Sequence, residues 1–315
     1  MDIYKFERIW TMPTPKKSRH ETKELLILRA LNPRMNLSDK DSRKYYALEK
    51  GYQGEVMFDA ITQELKNNCI VLNGLLFKLK EKHFQIDTVI IFQRTIYLID
   101  VKNFEGDYIY KSDPDRFCKN DTEIDDPILQ LLKAESKLRQ LLEEYRFNLP
   151  VESYVVHISP TFTLYNAPQN NHVILPTQIN RFIRKLENIP STLNGGHERL
   201  ADLLISLDQG DYPISPKPTY SYDGLRKSPY CSKCNSFSVS VGERKMVCNT
   251  CGCEERMESV VLQCVRELVL LFPEMRITTS VVYDWCGCVV PRKTIARVLK
   301  QNYQVMSSGK WTYYV

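Results

Sequence analysis

FQIDTVIIF (84–92) and TIYLIDVKN (95–103) are two apolar, β-branched runs separated only by Gln93 and Arg94. The composition predicts strands, and the short gap predicts a hairpin. A turn at Gln93-Arg94 sets Asp87 directly opposite Asp100, with both side chains on one face. Facing like charges destabilise a sheet. The apolar neighbours Ile86, Val89, Ile90, Ile99 and Val101 raise the cost of two ionised carboxylates further. A divalent cation shared between them resolves both problems, and Mg²⁺ or Mn²⁺ suits such oxygen ligands.

Lys102 follows Asp100 by two residues and so projects from the same face. An ammonium beside a carboxylate-bound metal can orient or deprotonate a water, or steady phosphate charge. Glu55 opens a predicted helix, EVMFDAITQEL (55–65), and can reach the ion directly or through water. The Val101 carbonyl is a further candidate oxygen ligand. Gln130 falls in the first turn of DPILQLLKAESKLRQLLEEY (126–145), a long amphipathic helix with Asp126 as N-cap and Pro127 behind it. Taken singly, each has an ordinary explanation. Lys102 is a surface partner for Asp100, Glu55 an acid favoured by a helix dipole, and Gln130 a surface polar residue. The opposed acids in an apolar hairpin are what demand a further reason.

Around this centre, KSRHETKELLILRAL (17–31) carries apolar residues near helical spacing, and Ser38 to Tyr52 predicts a second helix capped by Ser38 or Asp39. Gly51 and Gly54 mark a close backbone approach. CIVLNGLLFKL (69–79) is β-like, broken by the turn signal Asn73-Gly74. SYVVHISP (153–160) predicts a short buried strand, and 177–207 is mostly helical.

G-x-x-G-E (51–55), Q-I-D (85–87), I-D-V-K-N (99–103) with Gly106, and D-P-x-x-Q (126–130) stand in one order and spacing. In this the chain resembles the nuclease-related domain family, NERD, itself similar to the PD-(D/E)XK nucleases. The resemblance spans roughly residues 48–165. It implies a restriction-endonuclease-like α/β core, a mixed sheet flanked by helices. It also implies metal-binding roles for Asp87 and Asp100, a catalytic lysine at Lys102, the helix acid at Glu55 and a polar position at Gln130. The family often has Glu where this chain has Asp100, which bears on metal distance.

Ten cysteines are present and eight follow residue 230. C-S-K-C (231–234) and C-N-T-C (248–251) lie 13 residues apart. Two such knuckles supply four thiolates, Cys231, Cys234, Cys248 and Cys251, for a tetrahedral structural Zn²⁺. Cys253 is close enough to compete. The intervening FSVSVGERKMV alternates like a hairpin, giving the layout of a zinc ribbon, and Lys233, Arg244 and Lys245 make it basic. Beyond it, two helices, the basic segment PRKTIARVLKQN (291–302) and a strand pair resemble a winged helix, with Arg292, Lys293, Arg297 and Lys300 on the presumed reading helix.

Charge is uneven: the first fifty residues carry a balance of +5, residues 51–216 one of −6, and the remainder one of +6. An acidic centre suits metal, and basic flanks suit a polyanion. No apolar run is long enough for a membrane span, and no secretory signal is evident, so the chain is read as cytoplasmic. Five segments follow: a helical lead-in (1–48), the nuclease-like domain (49–207), a Pro- and Gly-containing linker (208–229), the ribbon (230–254) and the winged-helix-like module (255–315). The expected function is Mg²⁺-dependent hydrolysis of phosphodiester bonds, in DNA rather than RNA. The alternative is an inactive nuclease fold that binds nucleic acid or regulates.

Overall fold

The predicted hairpin forms, and its pairing runs to the residues next to the acids. In a computed structural model that describes residues 15–112, 115–169, 172–213, 218–308 and 311–315, strands β2 (Lys82–Ile91) and β3 (Ile96–Lys102) pair antiparallel from Ile91↔Ile96 to Thr88↔Ile99. Asp87 and Asp100 occupy the next register position. There the ladder stops, because the Val101 N–H donates to Asp87 Oδ2 at 2.8 Å. Continued pairing would have given that N–H to the Ile86 carbonyl. One carboxylate thus replaces a ladder bond and is fixed by it.

The chain divides into two compact units, one of Met1–Thr22 and Ala47–Ser215 so far as these are described, the other of Lys23–Tyr46 and Pro216–Val315. Helix α1 (Lys23–Leu31) belongs to the second unit, and α2 (Asp39–Thr62) starts in the second and continues in the first. The lead-in read as one segment is therefore distributed between units. Residues 17–22, expected to open a helix, are not helical, and a parallel bridge joins Lys17 to Leu72. The helices expected over 38–52 and 55–65 are one helix. Ser38 Oγ accepts from the Asp41 N–H at 3.1 Å, and both Gly51 and Gly54 are carried inside α2.

In unit 1, β1 (Ile70–Leu79) precedes β2, and β7 (Val151–His157) and β9 (Val173–Ile174) add parallel to β3, giving the order β1-β2-β3-β7-β9. Asn73-Gly74 is not a turn. β1 runs through it with Gly74 at φ +62. Leu72 and Leu75 lie in one core, as do Ile86 and Val89 across from them, so alternation slips by one residue in both strands at this point.

Helices cover both faces. α3 (Pro127–Glu144) and α5 (Gly195–Leu207) bury Leu131, Leu138, Leu141, Leu200 and Leu204 against one face. α2 and α4 (Ile179–Glu187) bury Phe58, Phe182 and Leu186 against the other. A mixed sheet flanked by helices matches a restriction-endonuclease-like core. A second sheet, ordered β6-β5-β4-β8, comprises β4 (Gly106–Ser112), β5 (Asp115–Lys119), β6 (Thr122–Ile124) and β8 (Phe162–Tyr165).

Unit 2 holds a three-stranded sheet, β10 (Val239–Val241), β11 (Lys245–Cys248) and β12 (Glu254–Arg256), then α6 (Met257–Leu271), α7 (Thr279–Trp285), α8 (Arg292–Asn302) and the hairpin β13 (Val305–Ser308) with β14 (Trp311–Tyr314). One core joins Ile27 and Leu31 of α1, Met246 of β11, and Val261, Leu268, Trp285 and Ile295. Leu225, read as linker, is buried in it, and Asp208, also read as linker, accepts the Leu76 N–H in unit 1.

Arg34 locks unit 2. It is 3% exposed, donates through Nε and NH2 to Glu267 at 3.0 and 2.5 Å, and lies 4.3 Å from the Trp285 ring centre. Tyr230 donates to the other Glu267 oxygen at 2.6 Å. Removing one partner of a buried ion pair strands the other charge. Arg34→Met is expected to lower the unfolding free energy of unit 2 by about 3 kcal/mol or more, as read by urea titration. A loss below about 1 kcal/mol, the range of an exposed pair, contradicts this account.

Candidate active site

The end of the ladder opens a cleft of about 920 Å³ whose lining includes Glu55, Asp87, Asp100, Val101, Lys102 and Gln130. All six positions singled out in the sequence meet there. Lys102 is the hub: its Nζ donates to Asp100 Oδ1 at 3.1 Å and to Gln130 Oε1 at 3.1 Å, and lies 2.9 Å from Asp100 Oδ2. The last oxygen is buried without an aligned hydrogen bond. Gln130 is presented by the first turn of α3, where Asp126 Oδ1 caps the Ile128 N–H at 2.8 Å with Pro127 following. Gly54 brings α2 against the end of β3: a Cβ there would lie 2.5 Å from that of Asn103. A Cβ at Gly51 would meet nothing within 4 Å, so the expected close approach holds for Gly54 alone.

Glu55 reaches the cleft but is not free in it. Arg19 NH1 donates to Glu55 Oε2 at 2.5 Å. The same guanidinium forks onto Asp59 at 2.9 Å twice and donates to the Asp87 carbonyl at 2.8 Å. Four carboxylates, those of Glu55, Asp59, Asp87 and Asp100, thus share two cations, Arg19 and Lys102. Burial and repulsion from Asp87 push Glu55 up to about 8. Burial pushes Asp100 up to about 6, with Lys102 opposing and Asp87 adding to the rise. Burial works against the Lys102 ammonium, but Asp100, Asp87 and Glu55 outweigh it and raise its pKa, which favours the charged form. The oxygens of Glu55, Asp87 and Asp100 are not all within 4.8 Å of one another.

Sequence reasoning missed the lysines of the cleft. Lys50, Lys119, Lys133 and Lys137 line it, although this segment is acidic overall. The spacing of Gln130, Lys133 and Lys137 along α3, three and then four residues, places them on one helix face and could have revealed two of them. Arg19 carried no such signal. His157 was also passed over. It is 1% exposed, pairs in register with Lys102 and stacks on Phe162 at 3.8 Å between ring centres.

In unit 2 the four knuckle thiols converge within 4.8 Å and can hold a metal ion. Cys231 and Cys251 sulfurs are 3.6 Å apart, and those of Cys234 and Cys248 3.5 Å. Tetrahedral zinc–thiolate bonds of about 2.3 Å require sulfurs roughly 3.8 Å apart. Cys253 meets Cys231 and Glu255 in a second set, so its closeness is spatial as well as sequential. Lys233, Arg244 and Lys245 are exposed, with Lys245 paired to Glu254 at 2.7 Å. On α8, Lys293, Arg297 and Lys300 share the solvent face opposite buried Ile295, Val298 and Leu299, while Arg292 stacks 3.9 Å from the Tyr283 ring centre.

Unit 1 is therefore a mixed α/β domain with an acid-and-lysine cleft at the open end of its central hairpin. Residues 50–158 match the family model of the nuclease-related domain, NERD, so this part of the chain is a nuclease-related domain. The matched span is about a third of the chain and holds Glu55, Asp87, Asp100, Lys102 and Gln130 but not Arg19. No curated protein and no solved structure matches. Among the described residues, no helix is long and apolar enough to cross a membrane.

Burial, with help from Lys102, drives His157 down to about 3 from the usual 6.5. The folded state holds this imidazole neutral, so its contribution is present above pH 6.5 and is lost as pH falls from there toward 3. Phe at this position keeps the ring stack without the titration. Relative to His157→Phe, the wild type is expected to lose about 2 kcal/mol of unfolding free energy between pH 7.5 and 5. Parallel pH profiles for the two proteins would contradict the burial of a neutral ring.

Proposed function

We propose that unit 1 is a metal-dependent nuclease that hydrolyses phosphodiester bonds, in DNA in preference to RNA, and that unit 2 supplies nucleic-acid affinity. The observation that carries this reading is Lys102 held between Asp100 and Gln130, with Asp87 lining the same lysine-rich cleft. Asp87 and Asp100 would hold Mg²⁺ or Mn²⁺, with the Val101 carbonyl and Glu55 as further oxygen donors. Their fit rests on donor type, on a cluster that holds more carboxyl groups than basic partners, and on the buried Asp100 oxygen that lacks an aligned donor. A bound divalent cation supplies charge neutralisation and a more acidic water.

The residues of the chain do the rest. Gln130 and Asp100 orient the Lys102 ammonium, which donates to a phosphate oxygen and offsets charge developing there. Lys133 holds the backbone of the nucleic acid through its phosphates, joined by Lys50 and Lys137 as they exchange their contacts with Glu105 and the His83 carbonyl for phosphate oxygens. Lys119 is engaged with the Glu105 carbonyl and the Tyr108 ring and shapes the wall. In unit 2, zinc on Cys231, Cys234, Cys248 and Cys251 would be structural, since four ligands leave no open position. The order of α6, α7, α8 and the β13–β14 hairpin is that of a winged helix, with Lys293, Arg297 and Lys300 of α8 toward the groove and Lys233, Arg244 and Lys245 on phosphates. The protein is read as cytoplasmic.

Two observations favour a second reading, a nuclease fold that binds without cutting: Arg19 occupies Glu55, and the oxygens of Glu55, Asp87 and Asp100 are not all within 4.8 Å of one another. Cleavage of plasmid and single-stranded DNA with Mg²⁺ or Mn²⁺ separates the two. Lys102→Ala is expected to lose roughly 100-fold in rate while keeping salt-dependent binding. Cleavage that survives the substitution removes Lys102 from the reaction, and binding without cleavage by the wild type selects the second reading. For unit 2, one zinc per chain is expected, and Cys234→Ser should release it and lower the melting temperature of this unit. Four freely titrating thiols and unchanged melting after chelation would contradict a structural metal.

A further inference from the structure

Residues 15–22 precede the matched domain yet are built into it. The Asn73 N–H donates to the Lys17 carbonyl at 2.9 Å, and Lys17 Nζ reaches back to the carbonyls of Asn73 and Gly74 at 2.9 and 2.5 Å and to Asp208 at 3.2 Å. This fixes the segment along the edge of β1. Two residues later Arg19 turns inward, with only 4% of its side chain exposed. It passes beside Gly74, where a Cβ would lie 3.4 Å from NH1. The slip in β1 and the missing side chain at Gly74 together make room for a guanidinium.

That guanidinium ties together three points of the candidate site. Its Nε and NH2 grip both oxygens of Asp59, NH1 holds one oxygen of Glu55 a turn earlier on α2, and NH2 also donates to the backbone carbonyl of Asp87 on β2. We infer that Arg19 is a positioning residue for the nuclease site, fixing the Glu55 carboxylate relative to the backbone that carries Asp87. It touches no reacting group and acts through those two acids. A lysine keeps the charge but cannot fork onto Asp59 while holding Glu55 and a carbonyl. This inference rests on the nuclease reading of the same cleft. It also makes the segment before the matched domain part of the working unit.

The test uses the full chain with Arg19→Lys and Arg19→Gln, measuring thermal melting, Mn²⁺ affinity by electron paramagnetic resonance of free Mn²⁺, and kcat and KM on plasmid DNA. Outer partners of metal ligands typically contribute 10- to 100-fold. Both variants are expected to weaken Mn²⁺ binding and lower kcat by about that factor, Arg19→Lys less than Arg19→Gln, with KM little changed. If these variants do not fold, Asp59→Asn removes the charged anchor of the fork while leaving Arg19 and Glu55 in place, and it too should weaken Mn²⁺ binding. Folded variants with lowered melting temperature but wild-type Mn²⁺ affinity and kcat overturn the inference, leaving Arg19 as a structural ion pair. A wild type that neither binds Mn²⁺ nor cleaves overturns the nuclease reading itself, and this inference with it.

Discussion

Buried carboxylates govern this structure. An acid placed among apolar strands must be neutralised, hydrogen-bonded or paired. Asp87 takes a ladder N–H, Asp100 takes Lys102, and Glu55 and Asp59 take Arg19. These solutions shape the surrounding backbone. The β2–β3 ladder ends where Asp87 takes the Val101 N–H, β1 slips where Gly74 makes room for Arg19, and α2 lies on Asn103 because Gly54 has no side chain. The cleft is the outcome of housing four acids beside a sheet end.

Comparison of the two buried ionic clusters separates structure from function. In unit 2, Arg34 faces a single acid, and Glu267 is satisfied by Arg34, Tyr230 and a long contact from Trp285. Charge balances there, and the network clamps α1 to α6 and the cysteine-rich sheet. In unit 1, two cations face four acids, and carboxyl groups rise well above their ordinary range. A balanced network is a staple; one with more carboxyl groups than basic partners, set in an accessible cleft, is the arrangement that the proposed function rests on.

Much of the site was legible because it is local. A two-residue gap between strong strands sets register, so the pairing of β2 with β3 up to the acids followed from counting, and i+2 spacing put Lys102 beside Asp100. Asp126-Pro127 announced the helix that presents Gln130, and paired C-x-x-C motifs announced the thiol cluster. What was hidden is non-local or carried by weak signals. Arg19 lies 36 residues before Glu55 and 68 before Asp87 in a stretch whose apolar spacing suggested a helix. Asn73-Gly74 has turn chemistry, yet its positive φ serves a kink inside a strand. The second sheet, including GDYIYKS and DRFCK, mixes charged and aromatic residues without sustained alternation, and its strands escaped notice. The cleft lysines were masked by averaging charge over a whole domain.

The central claim is that the facing acids exist to share a cation beside an amine. Anomalous diffraction from crystals soaked in Mn²⁺ tests it most directly. The account predicts one peak bound by carboxylate oxygens of Asp87 and Asp100, with Lys102 still on Gln130 and absent from the metal. No peak at that position, with the Asp100–Lys102 pair undisturbed at saturating Mn²⁺, would contradict it.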